Sequence, residues 1–221
     1  PVHAKGVMCA GTFTPSSESK KLTTAPHVQR DTTAVLVRFS DFAGVPTIAD
    51  NDPNGGGPRG LAIRFQLADH VHTDIIAHST ESFPVRTGEE FLEFARSLAV
   101  SGPDAPKPTP FETFLAAHPN AKRFVETPKP IPTSFARESY FAVSAFRFTS
   151  PDGTVRHGRY RILPDAGNEY VDPASLAKRS PNFLMEEIST RLSDGPVKFQ
   201  IRVRLAEAED ELADATAVWP K

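Results

Sequence analysis

Pro196–Leu205 reads PVKFQIRVRL. Side chains alternate faces along an extended chain, so Val197, Phe199, Ile201, Val203 and Leu205 share one face and Lys198, Gln200, Arg202 and Arg204 the other. A long amphipathic strand of this kind belongs to an antiparallel sheet with one wet face. The same period recurs upstream. In AVLVRFS from Ala34, Val35, Val37 and Phe39 stand opposite Leu36, Arg38 and Ser40. In GLAIRFQL from Gly60, Leu61, Ile63, Phe65 and Leu67 stand opposite Ala62, Arg64 and Gln66, and TDIIAHS from Thr73 reads as a further strand. SYFAVSAFRFTS from Ser139 and TVRHGRYRIL from Thr154, joined through Pro151-Asp152-Gly153, read as a hairpin.

Helices are fewer. Thr87 is placed to cap GEEFLEFARSLAV, with Phe91, Leu92, Phe94, Ala95 and Leu98 as its apolar stripe. Thr109-Pro110 opens a second helix, PFETFLAAH, and Asn182 precedes a third, FLMEEISTRL, ended by Asp194-Gly195. The pattern predicts the α+β class: a closed or strongly curled antiparallel sheet with inserted helices. At about 150 residues per domain, 221 residues exclude two full domains, and the Pro-rich stretches 102–110 and 128–132 are too short to be domain linkers.

Composition narrows the function classes. With 39% hydrophobic and 24% charged residues the chain is globular rather than disordered. Its 25 basic and 27 acidic residues give a net charge of −2 with no block of one sign, which argues against a nucleic-acid partner. No apolar run approaches the ~20 residues of a membrane span, so the chain reads as soluble, with cytoplasm and periplasm both open. The single Cys9 reads as a small buried hydrophobe. Pro1-Val2-His3 is neither a signal peptide nor a gene start, so the N-terminus reads as cut. Sixteen Phe among 20 aromatic residues require an unusually aromatic interior.

Several constellations invite chemistry. Gly55-Gly56-Gly57-Pro58-Arg59-Gly60 has the G-x-G-x-x-G spacing, but a strand follows where a dinucleotide site needs a helix, so it reads as a turn with left-handed glycines. His70-x-His72, near Asp69 and Asp74, lacks a clear third ligand and reads as an exposed loop. Arg38 and Ser40 place a cation and a hydroxyl on the same face of a hydrophobic strand. Either an inter-strand salt bridge with a hydroxyl at the sheet's mouth, or a polar site, accounts for them. His3 alone says little.

Taken together these stretches resemble the haem catalases. VHAKG at Val2–Gly6 resembles the family's distal-histidine motif, VRFSDFAG at Val37–Gly44 its VRFS-x-x-AG strand, and PRGLAIRF at Pro58–Phe65 its PRG-x-A-x-(K/R)F. RLSDGPVKFQIRVRLAEAED and AVWPK are similar to the later barrel strand and the WP segment. SFARESYFAVSAFRFTSPDGTVRHGRYRILPDAG and FPVRTGEEFLEF look closest to the small catalase-related peroxidases. The resemblance implies a catalase-like antiparallel β-barrel with inserted helices, a single domain over residues 1–221, truncated at both ends relative to the family. It implies an enzyme that uses haem b to reduce hydrogen peroxide or organic hydroperoxides with a small organic reductant. His3 matches the distal acid-base histidine and Ser40 the serine that orients it. Val2 matches the residue beside that histidine, Arg38 the arginine that pairs with a haem propionate, and Phe83 and Phe91 phenylalanines around the haem. Neutral His3 would move a proton from one peroxide oxygen to the other as the O–O bond breaks.

The chain departs from the family at three points, the first being that the arginine expected three residues before the distal histidine would lie before Pro1. No Asn lies in Ala77–Ser82, where a distal Asn is implied, and His78 or Glu81 stands in that neighbourhood. The axial tyrosine is expected beyond Lys221, so the chain itself carries no metal ligand; Tyr140, Tyr160 and Tyr170 read as barrel core or surface. Two other functions remain open: a non-enzymatic barrel that binds haem or a hydrophobic ligand, and a lipid-hydroperoxide-rearranging haem enzyme on the same scaffold.

Overall fold

A computed structural model describes residues 2–53 and 57–220 of the protein. It divides into two compact units. The larger runs up to Thr80 and adds Lys129–Ala142 and Phe146–Ala206; the smaller comprises Glu81–Pro128, Val143–Ala145 and the tail from Glu207.

The larger unit is built on one antiparallel sheet. Its strands are β1 (Gly6–Phe13), β2 (Thr33–Asp41), β3 (Arg59–Ala68), β4 (Val71–His78), β5 (Tyr140–Phe141), β6 (Phe146–Thr149), β7 (Val155–Pro164) and β8 (Phe199–Leu205). The order is β1-β2-β3-β4-β5-β7-β6, with β8 also paired to β7. The apolar sets predicted from period two face the core, where Val35, Phe39, Leu61, Ile63, Phe65, Ile75 and Ala77 are buried. Val7, Cys9, Ile201 and Val203 pack against that cluster, so the two end strands share one interior.

The closed barrel is corrected to an open sheet: among the described residues no ladder joins β1 to β8. Alternation decides which face of a strand is buried, but nothing in a two-residue period decides whether the last strand meets the first. The stretch 139–150, expected as one strand of a hairpin, is divided. Tyr140 pairs with Ile162 and Phe146 with Gly158, so six steps on one side oppose four on β7 (146 − 140 against 162 − 158), and the surplus leaves the ladder between β5 and β6. The hairpin through Pro151-Asp152-Gly153 forms as expected, with Gly153 at φ 85.

Among the described residues there are seven α-helices: α1 (Ser17–Leu22), α2 (Pro26–Gln29), α3 (Gly88–Ala99), α4 (Pro110–Ala117), α5 (Pro119–Glu126), α6 (Pro173–Leu176) and α7 (Phe183–Asp194). The predicted caps hold at α3, where Thr87 Oγ1 accepts from Glu90 N at 3.2 Å, and at α4, where Thr109 and Glu112 form a reciprocal capping box. The α3 stripe is narrower than expected. Phe94 is buried and Phe91 partly so, while Leu92 and Leu98 are about half exposed. In the smaller unit Val85, Phe94, Phe114 and Ala121 form a separate core against which Phe83 and Phe91 pack.

Candidate active site

The outer face of β1–β4, opposite the core, carries the residues singled out by sequence. Cross-strand register aligns Gly6, Ser40, Gly60 and His78 in one row and Met8, Arg38, Ala62 and Ile76 in the next. Arg38 and Ser40 therefore share a face, as period two requires.

His3 lies over the first row. The chain preceding β1 runs back along the end of β2, with His3 N donating to Phe42 O at 2.9 Å and Ala4 N to Ala43 O at 3.0 Å. His3 adopts φ 57, an uncommon backbone for a residue with a side chain. Its Nδ1 lies 3.0 Å from Ser40 Oγ, and Phe42 meets the ring edge-on at 5.4 Å. The remaining nitrogen, Nε2, is the one left to exchange a proton. Burial and then the Arg38 charge lower the pKa of His3, against an opposing bond to the Asp41 backbone, so the ring is neutral at pH 7.

Two glycines make this arrangement possible. A Cβ on Gly60 would stand 2.6 Å from Cε1 and Nδ1 of His3 and from Ser40 Oγ. One on Gly6 would stand 2.6 Å from Arg38 Nη2. The turn expected for Gly60 is thus corrected: Gly60 lies inside β3, and what it supplies is room for an imidazole. Gly55 and Gly56 lie outside the described residues. Arg38 Nη2 donates to His3 O at 2.8 Å, so the guanidinium supports the histidine backbone.

A buried polar belt anchors the segment behind His3. Lys5 Nζ reaches Asp50 Oδ1 at 2.5 Å, Ile48 O at 2.8 Å and Pro181 O at 3.0 Å. Asp50 Oδ2 accepts from Leu184 N at 2.8 Å, Arg59 donates to Asp50 O at 2.9 Å, and Arg59 forms an ion pair with Asp41. Buried charges are tolerable only when paired in this way. Burial raises Asp41 to about 7, Arg59 opposing it and Asp50 adding to it. Sequence reading missed this belt, although Asp41 adjoins Ser40 and Arg59 adjoins Gly60.

Val2, beside His3, is 43% exposed. Phe83 and Phe91 belong to the smaller unit, with ring centroids 5.5 Å apart. His78 is buried at the end of β4, while Glu81 belongs to the smaller unit. His70, at φ 57, and Asp69 are exposed in the β3–β4 turn, and among the described residues no three His, Cys, Asp or Glu are grouped to hold a metal ion. Tyr160 is core, edge-on to Phe146 and Phe148 and pushed up to about 12 by burial. Tyr140 OH donates to Phe135 O at 2.9 Å, and Tyr170 OH lies 3.2 Å from Glu138 Oε1.

The row beside His3 has an unusual composition for an outer sheet face. Met8 is 58% and Ile76 66% exposed, with Arg38 and Ala62 between them, while the polar Ser40 and His78 of the neighbouring row are buried. A flat, small-residue apolar surface flanked by an imidazole and a guanidinium is chemically suited to a flat apolar ligand with an anionic edge, so these residues fit the distal half of a haem site.

Comparison with known proteins shows the family and the fold. A family model described as Catalase matches residues 1–221. A catalase-related peroxidase of Mycolicibacterium paratuberculosis is 34% identical over 221 residues, covering 99% of this chain and 69% of that protein. A second catalase-related peroxidase, from Synechococcus elongatus, is 30% identical, covering 99% of this chain and 64% of that protein. The solved structure of a fungal catalase superposes with a TM-score of 0.84 at 19% identity, covering 99% of this chain and 46% of that one. The chain thus spans about two thirds of these curated relatives and under half of the solved catalase. It belongs to the catalase family, among whose enzymes it stands with the catalase-related peroxidases.

Proposed function

We propose that this chain carries the distal side of a haem peroxidase site that reduces hydrogen peroxide or organic hydroperoxides, with a small organic molecule as the electron donor. The observation that supports it best is the His3 imidazole, tied through Nδ1 to Ser40, lying over Gly60 and facing an apolar sheet surface. Haem b, when bound, supplies the electrons that cleave the peroxide bond.

The protein's own groups do the rest. With Nδ1–H donated to Ser40 Oγ, His3 Nε2 presents a lone pair and takes a proton from the peroxide oxygen nearer the haem. It then delivers that proton to the outer oxygen, which leaves as water from hydrogen peroxide or as the alcohol from an organic hydroperoxide. The lowered pKa keeps His3 in the neutral form this requires. Ser40 holds the ring's orientation and Gly60 its depth. Arg38, already donating to His3 O, has further N–H groups to pair with a propionate. The family resemblance adds Val2, next to His3 in the chain, and Phe83 and Phe91 to the proposed haem contacts.

The test is His3→Ala in the full-length, haem-loaded protein. Peroxide turnover is expected to fall by ~10²-fold or more with haem content unchanged. A wild-type protein with a Soret band and no peroxide consumption overturns the peroxidase reading in favour of a haem-binding protein.

A further inference from the structure

A peroxidase that oxidises organic molecules needs a place where they give up electrons, and a bulky donor needs that place at the surface. Among side chains, phenols and indoles lose one electron most readily. Oxidation turns a phenol into a strong acid, so the electron leaves easily only where a base takes the proton. The chain holds three tyrosines and one tryptophan. Tyr140 is fully buried and donates to the Phe135 carbonyl, which cannot keep a proton, and Tyr160 is packed against Phe146 and Phe148. Trp219 is buried, with Nε1 donating to another carbonyl, Glu211 O. Tyr170 meets both requirements: it is 41% exposed, and its hydroxyl donates to Glu138 Oε1 at 3.2 Å.

The pair is held in a closed ring of hydrogen bonds. Asn168 Nδ2 donates to Tyr170 OH at 3.0 Å, Ser139 Oγ donates to Asn168 Oδ1 at 2.7 Å, and Ser139 N donates to the same Glu138 Oε1 at 2.8 Å. An exposed phenol is thereby aimed at a buried carboxyl. Burial raises Glu138 to about 7, against its bonds to Ser139 and Tyr170 and the charge of Arg59, so it can take and return a proton near neutral pH. The segment that carries Glu138 packs directly on β2. Phe135 stacks on Phe39 with ring centroids 5.4 Å apart, and Tyr140 lies 6.0 Å from the same ring. Phe39 stands between Arg38 and Ser40 in sequence, so these packed rings lead from Glu138 to the strand that carries the candidate haem contacts.

We propose that Tyr170 is a surface electron-entry residue through which phenols and aromatic amines reduce the haem after peroxide has oxidised it, with Glu138 as its proton acceptor. The proposal rests on the peroxidase reading. In one round the Tyr170 O–H bond breaks, its electron going to the haem and its proton to Glu138 Oε1. The donor then gives one hydrogen atom to the phenolic oxygen, which restores the O–H bond and leaves the donor as a radical, and Glu138 releases its proton to water. Two rounds return the two electrons that one peroxide withdraws, and their two protons balance its conversion to water and a second hydroxylic product.

The test uses the full-length protein in two forms. With haem, samples freeze-quenched after hydrogen peroxide is added without a donor are expected to show a tyrosyl radical by electron paramagnetic resonance, narrowed by ring-deuterated tyrosine and lost in Tyr170→Phe. Glu138→Gln, which keeps an acceptor but not the base, is expected to lower the radical yield by at least ~10-fold. The wild-type yield is expected to climb as pH rises through about 7, where Glu138 ionises, and to stay flat in Glu138→Gln. Without haem, photogenerated ruthenium(III) tris-bipyridine supplies the oxidant, and mass spectrometry of spin-trap adducts is expected to find Tyr170 labelled ahead of Tyr140 and Tyr160. Equal labelling of the three, a radical that survives Tyr170→Phe, or one indifferent to Glu138→Gln overturns the proposal. Peroxide consumption by haem-loaded protein with no tyrosyl radical overturns the Tyr170 assignment alone. A wild-type protein that takes up no haem overturns the underlying peroxidase reading, and this assignment with it.

Discussion

Gly60→Ala is expected to leave the fold nearly as stable as before while removing most of the activity. The new Cβ would lie 2.6 Å from two atoms of the His3 ring, and ordinary contact begins at 3.4 Å, so about 0.8 Å must be yielded (3.4 − 2.6). The atoms in the way are side-chain atoms of His3 and Ser40, whereas β3 is held by ladders on both edges. The ring therefore moves and the strand does not. Losing the Nδ1 contact to Ser40 costs about 1 kcal/mol, and replacing glycine inside a strand returns about 0.5–1 kcal/mol, so net stability changes by under about 1 kcal/mol. Displacing a catalytic group by about 1 Å can cost ~10²-fold in rate. Denaturant unfolding and peroxide turnover on the same haem-loaded preparations read the two effects separately. In a His3→Ala background, Gly60→Ala should cost little further turnover, because the ring it displaces is gone. Turnover within about threefold of wild type, or a stability loss beyond ~3 kcal/mol, would refute the reasoning by showing that the ring is not the part that yields.

Two further outcomes follow from the electrostatics. Arg38→Leu removes a charge that lowers the pKa of His3. His3 must be neutral to accept a proton, so activity falls as pH drops through its pKa, and raising that pKa moves the acid limb of kcat/KM to higher pH; an unmoved or lowered limb contradicts it. Glu138 is 5% exposed, and burial raises its pKa from 4.5 to about 7, against its bonds to Ser139 and Tyr170 and the charge of Arg59. A carboxyl raised on folding contributes stability that is complete below its unfolded pKa and lost as pH rises through the folded value. Glu138→Gln should therefore match wild type at about pH 5 and exceed it by up to ~3 kcal/mol at about pH 9, measured by urea unfolding; an equal difference at both pH values refutes the shift.

Strand faces were legible because burial and alternation are the same fact seen twice. The core residues Val35, Phe39, Leu61, Ile63 and Phe65 fall on the faces that period two predicts, with Val37 partly buried among them. Closure of the sheet was not legible, since it depends on which edges meet and side-chain alternation is blind to edges. For the site, Arg38 and Ser40 could be paired from spacing alone, but His3 needed the family resemblance, because no local pattern announces a residue that folds back over a distant strand. Gly60 was misread for a related reason. A glycine beside Gly57-Pro58 suggests a turn, and the alternative, close approach of a side chain from 57 positions earlier (60 − 3), becomes visible only in three dimensions. Lys5, Asp50 and Arg59 escaped notice because single charges scattered through a neutral chain look like solvated surface until burial is known.

The outer face of β1–β4 inverts the usual division between water and core. Polar Ser40 and His78 are buried there, while Met8 and Ile76 stand largely in solvent. Left to itself, a sheet gains by the opposite choice, at roughly 25 cal/mol for each Å² of apolar surface removed from water. The inversion is sustained by the polar belt of Lys5, Asp50, Arg59 and Asp41, which fixes the segment behind His3, and by Gly6 and Gly60, which leave space for Arg38 and for the ring. These contacts order the polar groups within the polypeptide before any ligand arrives, so a ligand on this face meets side chains already in place. Binding then carries little cost for ordering His3, and covering the exposed apolar residues adds to it. That division of labour accounts for why a proton-transferring histidine can be supported by so few direct bonds of its own: its position is determined by the glycine beneath it and the carbonyl behind it, and only Nδ1 is spent on holding the ring.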